Sequence, residues 1–90
     1  MLVLLYFDWF GTPDELKEFD KMTRAALAAA GGVHYRGRYA PDNREFHFVD
    51  LFEAESYESL LGALTGPKAP HRDYGKLTHG VFEILRGPLE

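Results

Sequence analysis

Met1-Leu2-Val3-Leu4-Leu5-Tyr6-Phe7-Asp8-Trp9-Phe10 holds nine apolar side chains and one charge. A strand with one face in water alternates apolar and polar positions. This segment does not alternate, so it predicts a strand that seeks cover on both faces. Gly11-Thr12-Pro13-Asp14 ends it and opens a helix. Thr12 suits the N-cap, Pro13 the first helical position, and Glu15 closes a capping box. Leu16, Phe19, Thr23, Ala26, Leu27 and Ala30 then recur at three- and four-residue spacing. Glu15, Lys17, Glu18, Lys21 and Arg24 fall mostly off that stripe, which predicts an amphipathic helix of about four turns. Gly31-Gly32 stops it.

Val33 to Tyr39 alternates, with Val33, Tyr35 and Tyr39 on one side and His34, Arg36 and Arg38 on the other. Ala40-Pro41-Asp42-Asn43 has the composition of a turn. Arg44 to Glu53 reads as a third strand. If Tyr39 pairs with Arg44, then Arg38 faces Glu45, Arg36 faces His47 and Tyr35 faces Phe48. That register gathers Tyr35, Tyr39, Phe46, Phe48 and Phe52 on one face and the polar groups on the other. Ser56 can cap a short helix with Tyr57, Leu60, Leu61 and Leu64 on its stripe, ended by Gly66-Pro67. Lys68 to Lys76 reads as a polar loop or irregular turn, and Leu77 to Leu85 as the last strand.

The order is β-α-β-β-α-β over residues 1–90, taken as one domain. It predicts an α+β, ferredoxin-like fold: a four-stranded antiparallel sheet with two helices on one face. Strands one and three are central in that arrangement, and they are the most apolar here. Two helices cover one side only. If about 400 Å² of apolar surface remains on the other, covering it is worth roughly 10 kcal/mol before association costs. A second copy of the chain is the expected cover, as a homodimer or a higher homo-oligomer.

The chain resembles the dimeric α/β-barrel superfamily. The likeness is carried by Pro41-Asp42-Asn43 before an aromatic strand, by Phe52-Glu53-Ala54-Glu55-Ser56-Tyr57-Glu58-Ser59-Leu60, and by Pro70-His71-Arg72-Asp73-Tyr74. Antibiotic-biosynthesis monooxygenases, muconolactone isomerase and polyketide cyclases show similar stretches. The resemblance implies two sheets facing each other as a barrel. It also implies a cofactor-independent monooxygenase, isomerase or cyclase acting on a small organic, aromatic molecule. The alternative is a non-catalytic module for ligand capture or dimerisation.

A net charge of −4 argues against a nucleic-acid or anionic-membrane partner. Arg44 to Leu51 partly matches the basic-aromatic octamer of RNA-recognition modules. It places Glu45 and His47 where that motif wants glycine and a small residue. With no cysteine, disulfides and sulfur-based zinc sites are excluded. No run approaches the roughly 20 apolar residues of a membrane span. A cytoplasmic protein is the expectation.

Four histidines are the first candidates for chemistry. His47, beside Arg36, would be held neutral by that cation and could act as a base. It could equally be satisfied within a polar patch. In haem-handling relatives of the resembled superfamily a histidine near His71 ligates iron, which makes His71 the residue to test for haem or proton transfer. Apart from that resemblance, the residues point to no cofactor. His34 and His79 have no spacing that predicts a metal site. Trp9 and Tyr35, with Tyr39 and Phe48, could shape an aromatic pocket, and Arg36 could anchor an anionic group or enolate. Such a row of aromatics is also what a strand core contains. A cavity holding Trp9, Tyr35 and a histidine would favour an enzyme, and a solidly packed interior would favour the module.

Overall fold

The computed structural model describes residues 1–42, 45–65 and 69–87, without the side chains of Thr65, His71 and Arg72. Its elements are β1 (Leu2–Trp9), α1 (Pro13–Ala30), β2 (Val33–Tyr39), β3 (Phe48–Ala54), α2 (Tyr57–Thr65), α3 (His71–Tyr74) and β4 (Thr78–Leu85). The sheet runs β2-β3-β1-β4, and every neighbouring pair is antiparallel. This is the ferredoxin-like arrangement, with β1 and β3 in the middle. Among the described residues no helix is long and apolar enough to cross a membrane.

Local chemistry sets α1 in place. The Glu15 main-chain N–H donates to Thr12 Oγ1 at 3.1 Å, and the Thr12 N–H donates to Glu15 Oε1 at 2.8 Å. These two bonds form the reciprocal capping box. Gly31 closes the other end, its N–H donating to the Leu27 carbonyl at 3.0 Å with φ +71°. At α2 the Ser59 N–H donates to Ser56 Oγ at 3.1 Å, as its spacing predicts. The buried stripe of α2 is rotated from expectation. Leu60 and Ala63 face the core, while Tyr57 and Leu61 are exposed. The expected polar loop after α2 contains a helical turn, α3, in which the Asp73 and Tyr74 N–H groups both donate to the Pro70 carbonyl. Burial explains this turn. It places Tyr74 edge-on against Phe19 and 6.1 Å from Trp9.

The β2–β3 pairing differs from the expected register. Tyr39 pairs with Val49, Arg38 with Asp50 and Gly37 with Leu51, whereas Tyr35 pairs with Phe52. The pairing slips between Tyr35 and Gly37, leaving Arg36 as the extra residue of a β-bulge. Gly37 has φ +130°, a conformation that favours glycine. Two causes defeat the simple alternation. First, β3 begins at Phe48, not Arg44, and Asn43 and Arg44 lie outside the described residues. Phe46 and His47 belong instead to the end of β1. The Phe46 ring lies 5.9 Å from Tyr6, and the His47 N–H donates to Asp8 Oδ1 at 2.9 Å. Second, the bulge reverses which side chains of β2 face the helices. Arg38 therefore points inward, and Tyr39, 56% exposed, points outward.

Val3, Phe7 and Trp9 of β1 face the helices and are buried. Leu2, Leu4, Tyr6 and Asp8 therefore face the open side. Across the ladders they meet Val49, Leu51 and Glu53 of β3 and His79, Val81, Glu83 and Leu85 of β4. Val81 is 46% and Leu85 43% exposed. The face away from the helices thus has an apolar middle around Leu4, Tyr6, Val49, Leu51 and Val81, with Asp8, Glu53 and Glu83 at its margins. On the helix side, Gly80 of β4 sits opposite Phe7, where a Cβ would approach the Tyr6 carbonyl oxygen to 2.7 Å. Only glycine fits there without a shift.

Candidate functional site

Between the sheet and the helices lies a cavity of about 360 Å³. That is within the range of natural ligand pockets, roughly 300–1,000 Å³. Its floor is Leu5 and Phe7 of β1 with Asp50 and Phe52 of β3. Its roof is Phe19, Thr23 and Ala26 of α1 with Leu60 and Ala63 of α2. The space exists because both helices present alanine where they cross this part of the sheet. Ala26 and Ala63 are each buried yet too short to reach the strands. The main packing of α1 and α2 is against each other and against β2 and β3. The β4 side is left less covered, and there Gly80 and the half-exposed Phe82 line the cavity.

Among the described residues Asp50 is the single ionisable group in that lining, and it is 4% exposed. Arg38 Nε donates to Asp50 Oδ1 at 2.7 Å and Nη2 to Oδ2 at 3.0 Å. The same guanidinium reaches across to α1. Its Nη1 donates to Asp20 Oδ2 at 2.9 Å and Nη2 to Asp20 Oδ1 at 2.6 Å. One arginine therefore holds two carboxylates through two forks. Its plane lies over the rings of Phe7 and Phe48, at 5.1 and 5.4 Å. Burial pushes the Asp50 carboxyl above its ordinary value, against the pull of the Arg38 hydrogen bonds and charge, and the nearby Asp20 adds to the rise. Burial works against the Arg38 charge, but the hydrogen bonds to Asp50 and Asp20 outweigh it and raise its pKa.

Four of the five residues singled out from sequence have described side chains, and none of those four lines the cavity. Trp9 is buried in the neighbouring aromatic cluster, its ring tilted against Phe19 at 5.2 Å, with Nε1 donating to the Thr12 carbonyl. Tyr35 packs with its ring tilted against the lining residue Phe52 at 5.5 Å, under the Arg24 guanidinium. Burial, then the nearby Asp50, raise the Tyr35 phenol above its ordinary value, so it stays neutral. Arg36 is exposed and pairs with Glu53 at 3.2 Å on the outer side. His47 is exposed near Asp8, and its Nδ1 accepts the Trp9 main-chain N–H at 3.1 Å. In the neutral ring the proton then sits on Nε2, leaving no free lone pair. His71 follows the lining residue Pro70 in the chain, but its side chain lies outside the described residues.

The cavity is therefore neither the one sketched from sequence nor a solid core. Among the described residues no three His, Asp or Glu side chains gather as a metal site requires. The described lining contains no histidine, cysteine, methionine or tyrosine that could be an axial haem ligand, and the His71 side chain lies outside the described residues.

Sequence comparison finds no family model that matches the chain and no match among curated proteins. Structure comparison does find relatives. A Nitrosomonas europaea protein, named provisionally as an antibiotic biosynthesis monooxygenase, superposes over the full length of both chains. Its TM-score is 0.55 at 13% identity. Rv0793 of Mycobacterium tuberculosis also matches over the full length of both chains, with TM-score 0.51 and 13% identity. The chain shares their fold. At this identity the likeness extends to the β-α-β-β-α-β architecture and not to any side chain.

Proposed function

We propose that the chain binds a small, largely apolar organic molecule between its helices and its sheet, and works as a homodimer. The single observation that carries the reading is the cavity, apolar on nearly every described side, with Asp50 as the one ionisable group among its described walls. Pockets of this make-up, apolar with a few placed polar groups, are how small-molecule sites are usually built. The monooxygenase, isomerase or cyclase activity implied by the resemblance would use this space. Asp50 would act as its proton acceptor, a role that a raised carboxyl favours. Tyr35 and Trp9 would support the walls through Phe52 and Phe19. His71, next to Pro70, is the further candidate for proton handling.

Binding is tested with a neutral naphthalene-based dye whose emission shifts to the blue in apolar surroundings. The parent protein should give the shift with micromolar affinity. Ala63→Phe, which fills the roof, should weaken binding at least tenfold while far-UV circular dichroism stays unchanged. Binding that survives in Ala63→Phe places the dye elsewhere and removes the reading.

The dimer is supported by the open face of the sheet, where Leu4, Tyr6, Val49, Leu51, Val81 and Leu85 come together. A second copy covering this face would give the barrel of the resembled superfamily. Light scattering at micromolar concentration should return twice the 10.2 kDa chain mass. Leu51→Glu should return the mass of one chain, because Leu51 lies on the central strand β3 between Leu4 and Gly37, where a covered charge stays unpaired. A parent protein that scatters as a monomer overturns this part.

A further inference from the structure

We propose that Asp20, which does not line the cavity, sets its electrostatic sign, so that the site takes uncharged hydrogen-bond donors and rejects anions. The inference rests on the cavity being a ligand site. The ion pairs of Asp20 and Asp50 are both made with Arg38. Two carboxylates share one guanidinium, so the cluster carries one net negative charge. Asp50 alone with Arg38 would be neutral. The surplus comes from α1.

Asp50 is 4% exposed against apolar walls, where water screens it poorly, while the partly exposed Asp20 acts on the space by drawing on the guanidinium that Asp50 shares. A ligand carboxylate entering beside Asp50 meets net repulsion, and Arg38 has no free fork to offer it. Its Nε and both Nη groups already donate to Asp50 and Asp20. A ligand ammonium would be attracted but would have to shed its water into an apolar space. A hydroxyl or amide N–H on an apolar ring meets neither penalty. Each Asp50 oxygen accepts one hydrogen bond from Arg38 and keeps capacity for another.

Three probes of one shape separate the possibilities: naphthalene, 2-naphthol and 2-naphthoate, titrated calorimetrically into the full chain at pH 7. Naphthol should bind at least tenfold more tightly than naphthalene, and naphthoate more weakly than either. In Asp20→Asn the cluster becomes neutral, and the naphthol-to-naphthoate preference should fall about tenfold. Asp50→Asn should lower it as well, but that variant alters the buried wall itself, so Asp20→Asn carries the test. A preference that is unchanged in Asp20→Asn overturns the proposal, as does a parent that binds naphthoate as well as naphthol. In both cases the cavity reading survives. A parent that binds none of the three overturns the cavity reading instead.

Discussion

Replacing Arg38 with methionine should cost about 3 kcal/mol of stability, read as a lower urea midpoint at fixed protein concentration. The size follows from what is left behind. Arg38→Met strands two carboxylates, one of them 4% exposed, without the guanidinium that both are bonded to. Removing one partner of a buried pair is far worse than removing the whole set, because the surviving charge stays desolvated. Asp20→Asn/Arg38→Met/Asp50→Leu should therefore recover most of the loss, despite making fewer interactions than the single variant. Arg38→Lys should fall between, since an ammonium keeps the charge but cannot present two forks. Arg38 joins β2 to β3 through Asp50 and to α1 through Asp20, so the loss should be cooperative across the sheet and its covering helix. An Arg38→Met midpoint equal to that of the parent would show that this cluster does not tie α1 to the sheet.

The residues that build this cluster show which parts of the molecule a sequence can reveal. Both ends of α1 were readable because the signals are local: Thr12, Pro13 and Glu15 at one end and Gly31 at the other act within a single turn. The element order and the central place of β1 and β3 were readable from periodicity and apolar content. The register was not, because a single bulge residue, Arg36, reverses the meaning of every later position on β2. With strict alternation Arg38 belongs with Arg36 in solvent. With the bulge it is the inward cation of the site. One signal was nevertheless present. Asp50 shares parity with Phe48 and Phe52 on a strand whose aromatic side faces the core. An acid at such a position demands a buried partner, and the nearby arginines of β2 are the available ones. The cavity itself left a fainter trace. Ala26 lies on the apolar stripe of α1, but a short side chain on a core stripe becomes a void only if the opposing helix is short there too. Ala63 supplies that, through the rotation of α2 that brings Ala63 inward and turns Leu61 outward.

Phe7→Ala should be the most damaging change among the apolar residues, costing about 3–5 kcal/mol. Phe7 is 2% exposed, lies 5.5 Å from the Phe48 ring and 6.5 Å from Phe19, and carries the Arg38 guanidinium on its face. Truncation removes ring contacts and the platform for the arginine together. It also opens a void that joins the existing cavity. The surroundings cannot collapse into it, since the floor is a hydrogen-bonded strand paired on both sides. Poor relaxation puts a large-to-small change at the costly end of its range. Phe82→Ala is the control of equal chemistry. Phe82 lines the same cavity but is 42% exposed, so its loss should cost under about 1 kcal/mol. The two variants should also answer differently to ligand. A saturating apolar probe should recover more stability in Phe7→Ala than in the parent, because it fills a larger space in the folded state only. Equal costs for Phe7→Ala and Phe82→Ala in urea denaturation would mean that the floor of the cavity is no better packed than its mouth, and that the void is slack in the core instead of a site held open by a rigid sheet.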